Sequence, residues 1–98
     1  MGIIKNIKIN EIEDDLKEIV GFSFQIKLFQ EEYKDVINQT EFNKNSFSSG
    51  DISKDVYSKN KVLLENERKK LIQKINEAIG KMQKVNEEIQ KTIEENKI

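Results

Sequence analysis

The sequence predicts an all-α fold, an antiparallel helical hairpin with a long second helix and coiled-coil-like packing. Three observations carry this. From Leu71 to Ile93 the apolar residues recur in steps of four and three, at Leu71, Ile75, Ala78, Met82, Val85 and Ile89, the a and d positions of a heptad seam. A second, less regular period marks Ile12, Leu16, Ile19, Ser23, Ile26, Gln30, Tyr33 and Ile37. Between them lies Asn38 to Gly50, rich in Asn, Ser and Gly, which favour turns.

Taken in order, residues 1–10 read as an extended arm, because the weak alternation Ile7-Lys8-Ile9-Asn10 has no partner strand. Asn10 reads as an N-cap with Glu13 closing a capping box. Glu11, Glu13, Asp14 and Asp15 then crowd a first turn, where the helix dipole favours negative charge. The first helix is predicted over 11–37. Within it Phe22 to Leu28 alternates with period two, a strand pattern. Helix is preferred there, because one strand alone forms no stable sheet. Phe22, Phe29 and Val36 form a second stripe on this helix, while Phe24 and Leu28 point elsewhere. A helix apolar on several sides is covered on several sides.

Residues 38–50 read as the loop, with Phe42 and Phe47 as apolar plugs and Ser49 or Asp51 placed to cap the next helix. The second helix is predicted over 51–96. Ile72, Ile79 and Ile93 widen its seam on one side, and Gly80 lies farthest from it. One domain, 1–98, is expected.

A fold-back near residue 44 would set position i against about 88 − i, from helix rise alone. Ile12 would then meet Ile75, and Glu11 to Glu18 would lie beside Arg68, Lys69, Lys70 and Lys74. Charge agrees: Asn10 to Ile37 carries eight acids and three lysines, a net of −5, and Lys54 to Ile98 carries eleven bases and eight acids, a net of +3. Exposed pairs add only about 0–1 kcal/mol each, so charge selects the pairing without holding it. Lengths do not match. A first helix of about 27 residues spans roughly 40 Å and a second of about 46 spans roughly 69 Å. The turns from Ala78 to Ile93 would be left uncovered, and an uncovered apolar stripe marks an interface. The expected partner-binding residues are therefore Phe22, Phe29, Phe47, Gly50, Leu71, Ile75, Ala78, Ile79, Met82, Val85, Ile89 and Ile93.

Composition excludes most chemistry. There is no His, Cys, Pro or Trp, so acid–base work near neutral pH would need a shifted carboxylate or lysine, which nothing places in a pocket. No enzyme activity, cofactor or metal is expected. The acidic runs lack the Asp-x-Asp-x-Asp-Gly pattern of a calcium loop. The run Arg68-Lys69-Lys70 is flanked by Glu65 and Glu67, against nucleic-acid binding. No apolar run reaches the roughly 20 residues of a membrane span, and Met1 to Asn10 has no signal-peptide core.

The layout carries a resemblance. Ile7 to Asn10, the turn Phe47-Ser48-Ser49-Gly50-Asp51, and the long charged helix from Leu64 to Ile93 together resemble the small helical companions of Gram-positive type VII secretion. The chain is similar to WXG-type hairpin proteins and, more closely, to the short proteins encoded beside LXG polymorphic toxins. The resemblance implies a targeting factor or chaperone that binds the helical LXG domain of a toxin, or another small helical companion. It implies a cytoplasmic location, with export lacking a cleaved signal peptide left open. Two features depart from the pattern. The Trp-x-Gly of the turn is missing, and so is the aromatic residue followed four positions later by an acid after the second helix. The alternative expectation is a self-associating coiled coil or four-helix bundle, a homodimer such as a phage-derived structural protein.

Overall fold

The computed structural model describes the backbone of residues 2–95 and the side chains of residues 9–95. The chain is an antiparallel hairpin of two helices, α1 (Gly2–Ser48) and α2 (Lys54–Glu95), with no strand among the described residues. Contacts divide it into two units. The first is Met1–Ile26 with Asn76–Ile98, and the second is Lys27–Ile75. Each takes part of both helices.

Both ends of the predicted first helix are corrected. The arm is helical from Gly2, so Asn10 caps nothing. The side chains of Ile3, Ile4 and Ile7 lie outside the described residues, as does the predicted helix end at 96. The predicted loop is mostly helix, because its polar side chains find partners that leave the helical backbone intact. Thr40 Oγ1 donates to the Val36 carbonyl at 2.7 Å and Ser48 Oγ to the Lys44 carbonyl at 3.0 Å, bonds that return to the preceding turn. Asn43 Nδ2 donates to the Tyr57 carbonyl at 3.1 Å, and Asn60 Nδ2 donates to Asn43 Oδ1 at 3.0 Å. Asn43 and Ser46 are buried, which the reading of this stretch as loop did not anticipate.

α1 ends in a Schellman turn. The Asp51 N–H donates to the Ser46 carbonyl and the Gly50 N–H to that of Phe47, with Gly50 at φ 82°, a conformation that costs an L side chain. Ser53, not Ser49 or Asp51, caps α2: its Oγ accepts from the Val56 N–H at 3.2 Å. Ser49 Oγ instead donates to Asp51 Oδ2 within the turn. Phe47 closes the turn by stacking on Tyr57, with ring centroids 4.5 Å apart.

This turn lies later than the estimate near residue 44, and the register moves with it. Phe22 meets Lys81 in the first unit; Phe29 meets Lys74 and Asn43 meets Asn60 in the second. Position i therefore faces about 103 − i within each unit, not 88 − i. The displacement is about two heptads, and a seam that repeats every heptad cannot distinguish the two registers. The inward face of α1 also differs by one residue at alternate steps. Up to Val36 its half-buried and buried positions are Ile12, Asp15, Ile19, Phe22, Ile26, Phe29, Tyr33 and Val36, whereas Leu16, Ser23, Gln30 and Ile37 are exposed. On α2 the inward positions are Tyr57, Asn60, Leu64, Arg68, Leu71, Ile75, Ala78, Met82, Val85 and Ile89. The two successive steps of four from Asn60 to Arg68 are a stutter that locally relaxes the heptad, and they bring Arg68 into the seam.

Neither Gly21 nor Gly80 ends a helix. A Cβ at either meets nothing within 4 Å, so glycine there costs backbone entropy and supplies no packing. Replacing both with alanine is expected to raise stability by about 1–2 kcal/mol. A rightward shift of the urea midpoint at unchanged slope is the expected result; no shift would mean that one of them marks a break in its helix.

Candidate functional site

The residues predicted to bind a partner have divided fates, because the premise of an uncovered α2 does not hold. α1 is the longer helix, 47 residues against 42. In the first unit Ala78, Val85 and Ile89 are buried at 4–7% exposure, and in the second unit Leu71 is buried at 3%. These four are interior, not interface. Ile75 and Met82 are half-buried in the seam. Phe22 and Phe29 are half-buried too, with the ammonium groups of Lys81 and Lys74 at 6.0 and 5.8 Å from their ring centroids, the outer limit for cation–π attraction. Phe47 and Gly50 belong to the turn. Of the predicted partner-binding residues on α2, Ile79 and Ile93 remain open, at 40% exposure each.

Those two lie on the flank of the first unit that holds an uncharged groove. A groove of about 460 Å³ on this flank is lined by Ile19, Ile26, Ile79, Met82, Gln83 and Asn86. On α1, Leu16 and Ser23 precede Ile19 and Ile26 by three residues, which puts them on the same side, with Val20 and Ile9 alongside. Ile9, Leu16 and Val20 are 49–67% exposed. Gln90 and Ile93 continue the row on α2. None of these positions is ionisable. The opposite flank of the same unit is charged: Glu11, Asp15, Glu88, Lys91, Thr92 and Glu95 line a groove there. This corrects the expected charge pairing, since Glu11 and Asp15 lie near other acids and not near Arg68 to Lys74. Asp15 even occupies a seam position.

Leu16 was placed in the seam by its spacing, and Ile9 in the arm. The legible signal was the seven-residue interval from Ile9 to Leu16, matching that from Ile72 to Ile79 on α2: two apolar rows, each one residue off its seam.

In the second unit Arg68 is answered on its own helix. Its guanidinium donates to Glu65 Oε1 at 2.7 Å. The bond to Glu65 raises the Arg68 pKa, and the same bond holds the Glu65 carboxyl below its ordinary value. A shallow cup near the turn holds Ile52 and Leu64 between Phe42 and Leu63. Phe42 is 75% exposed, so it plugs nothing.

Among the described residues, no group of three or more Asp or Glu is placed to hold a metal ion, and no helix is long and apolar enough to cross a membrane. Comparison with protein-family models, with curated proteins and with solved structures finds no match.

Proposed function

We propose that this chain is a non-enzymatic helical protein that binds a partner helix along the flank of its first unit that holds the uncharged groove. The observation that carries the reading is the row Ile9, Leu16, Val20, Ile79 and Ile93, open to solvent beside an uncharged groove. Single exposed apolar residues need no explanation, but a continuous row across two helices, fringed by amides, is an interaction surface.

The resemblance to companions of LXG-type toxins supplies the partner class: the helical domain of such a toxin, which this protein would target or chaperone for type VII secretion. Co-expression with the helical domain of an LXG toxin encoded beside it tests this. A stable complex is expected, weakened when Leu16 and Ile79 become serine. Failure to form one with the wild-type chain would remove the toxin assignment.

Self-association is the second reading, favoured by the absence of any fully buried side chain among the described residues. Sedimentation equilibrium of the purified chain separates the two: a concentration-independent monomer excludes the homodimer, and a tight dimer dissolved by the same serine variant establishes it.

A further inference from the structure

The hydroxyls leading into the turn behave alike, with one exception. Thr40, Ser48 and Ser49 each donate to a backbone carbonyl one turn back. Ser46 is only 8% exposed, and its hydroxyl has no hydrogen-bond partner among the described residues. Asn60 commits its amide N–H to Asn43 Oδ1, while its own oxygen accepts nothing among the described residues. A buried polar atom without a partner costs stability, and no described side-chain nitrogen or oxygen is both sealed from solvent and unpartnered. Both oxygens therefore reach an opening. The opening is the cup at the turn end of the second unit, which Ser46 and Asn60 both line. The cup holds about 390 Å³ between apolar walls, Phe42, Ile52, Leu63 and Leu64. That volume, with apolar walls around a few polar atoms, is that of a ligand site.

The lining also selects the ligand. Glu67 is the one ionisable group among the residues lining the cup, and it disfavours a carboxylate there. The second unit as a whole carries ten basic residues against eight acids, so its surround offers a cation no attraction to offset the cost of desolvation. A neutral ring ending in a hydroxyl meets both conditions: its faces cover the walls, and its O–H both donates and accepts. The surface beyond the cup says how the ring arrives. Leu63 also walls a second hollow with Ser58, Lys59 and Val62, and Phe42, Val62 and Leu63 are each more than half exposed. A free phenol would leave this extension bare, whereas a ring carried on a polypeptide covers it with its neighbours.

We infer that the cup at the turn end of the second unit receives a tyrosine side chain of a partner protein, its hydroxyl bonding at the polar floor that Ser46 and Asn60 provide and the residues beside it covering Leu63 and Val62. The site is separate from the flank of the first unit and stands or falls without it.

The test titrates the full, isotope-labelled chain and follows the Asn60 side-chain amide and the backbone amides of Phe42, Ser46 and Leu63 by NMR. p-Cresol is expected to shift these signals and to bind about fivefold more tightly than toluene. Ser46→Ala should bring p-cresol down to the level of toluene and leave toluene unchanged. That hydroxyl has no partner to lose, so the variant is expected to be no less stable than the wild type, which separates lost binding from lost folding. A helical peptide with a single tyrosine on an alanine, lysine and glutamate background should bind at least about tenfold more tightly than p-cresol. Val62→Ser should weaken the peptide and not p-cresol. Toluene binding as tightly as p-cresol, Ser46→Ala without effect, or n-butylammonium binding more tightly than p-cresol overturns the phenol. A peptide no tighter than p-cresol and indifferent to Val62→Ser overturns the partner protein and makes a free phenol the occupant. Signals unmoved by every probe overturn the site itself.

Discussion

Leu71→Ala is expected to lower the unfolding free energy by about 2–3 kcal/mol. Leu71 is the most enclosed apolar side chain described, at 3% exposure. Its truncation removes buried methylene and methyl groups and leaves a space that a two-helix seam closes only in part. That loss is a large share of the about 5–15 kcal/mol that holds a small domain together. Ile79→Ala provides the contrast. Ile79 belongs to the same helix but opens to solvent at 40% exposure, and its truncation is expected to cost under about 1 kcal/mol. Urea unfolding of the two variants at unchanged slope reads the difference directly. A reversed order would mean that the seam of α2 is turned the wrong way and that Leu71, not Ile79, faces outward.

The second large effect is expected at Asn43. Its amide bridges the helices in both directions, accepting from Asn60 and donating to the Tyr57 carbonyl. Asn43→Ala leaves the Asn60 amide without its acceptor in a largely enclosed place and should cost about 1–3 kcal/mol. Replacing both asparagines by leucine has a different sign of consequence. With both polar groups gone no donor is stranded, and the double variant is expected to be about as stable as the wild type or more so. A double-mutant cycle should therefore show coupling of at least about 1 kcal/mol between the two positions. Additive losses would mean that the two amides do not bond to each other in solution. The pair also has a structural use. A heptad seam tolerates sliding by whole repeats, and a buried polar pair is one of few devices that penalises the slip.

These two sites show how far the sequence could be read. Leu71 was assigned to the seam from spacing alone, and burial agrees. Its assignment to a partner failed, because that step needed the length of the other helix. Asn43 stood in a stretch whose composition reads as turn. Asn, Ser and Thr disfavour helix interiors by offering the backbone competing hydrogen bonds, but here Thr40 and Ser48 direct those bonds to the preceding turn and Asn43 directs its own across to α2. Propensity is a local quantity, and the tertiary contact outweighed it. On α1 two candidate faces share Ile12, Ile19, Ile26 and Tyr33. The choice between them fell to Phe22, Phe29 and Val36, the second stripe, whose larger apolar surface turns inward in place of Leu16, Ser23, Gln30 and Ile37.

The sequence by itself determined that the chain is two helices folded back on one another and which side of α2 is greasy enough to be hidden. It also determined that the chain carries neither His nor Cys. All of these follow from residue type and period, which each short stretch carries on its own. Only the tertiary structure decided where the fold-back falls, at the Gly50 turn, and therefore that Val85 and Ile89 are covered by their own molecule while Leu16 and Ile79 stand open. The physical reason is the repeat itself: a seam that matches after every seventh residue stores the direction of packing but not its register, and register is what separates core from surface.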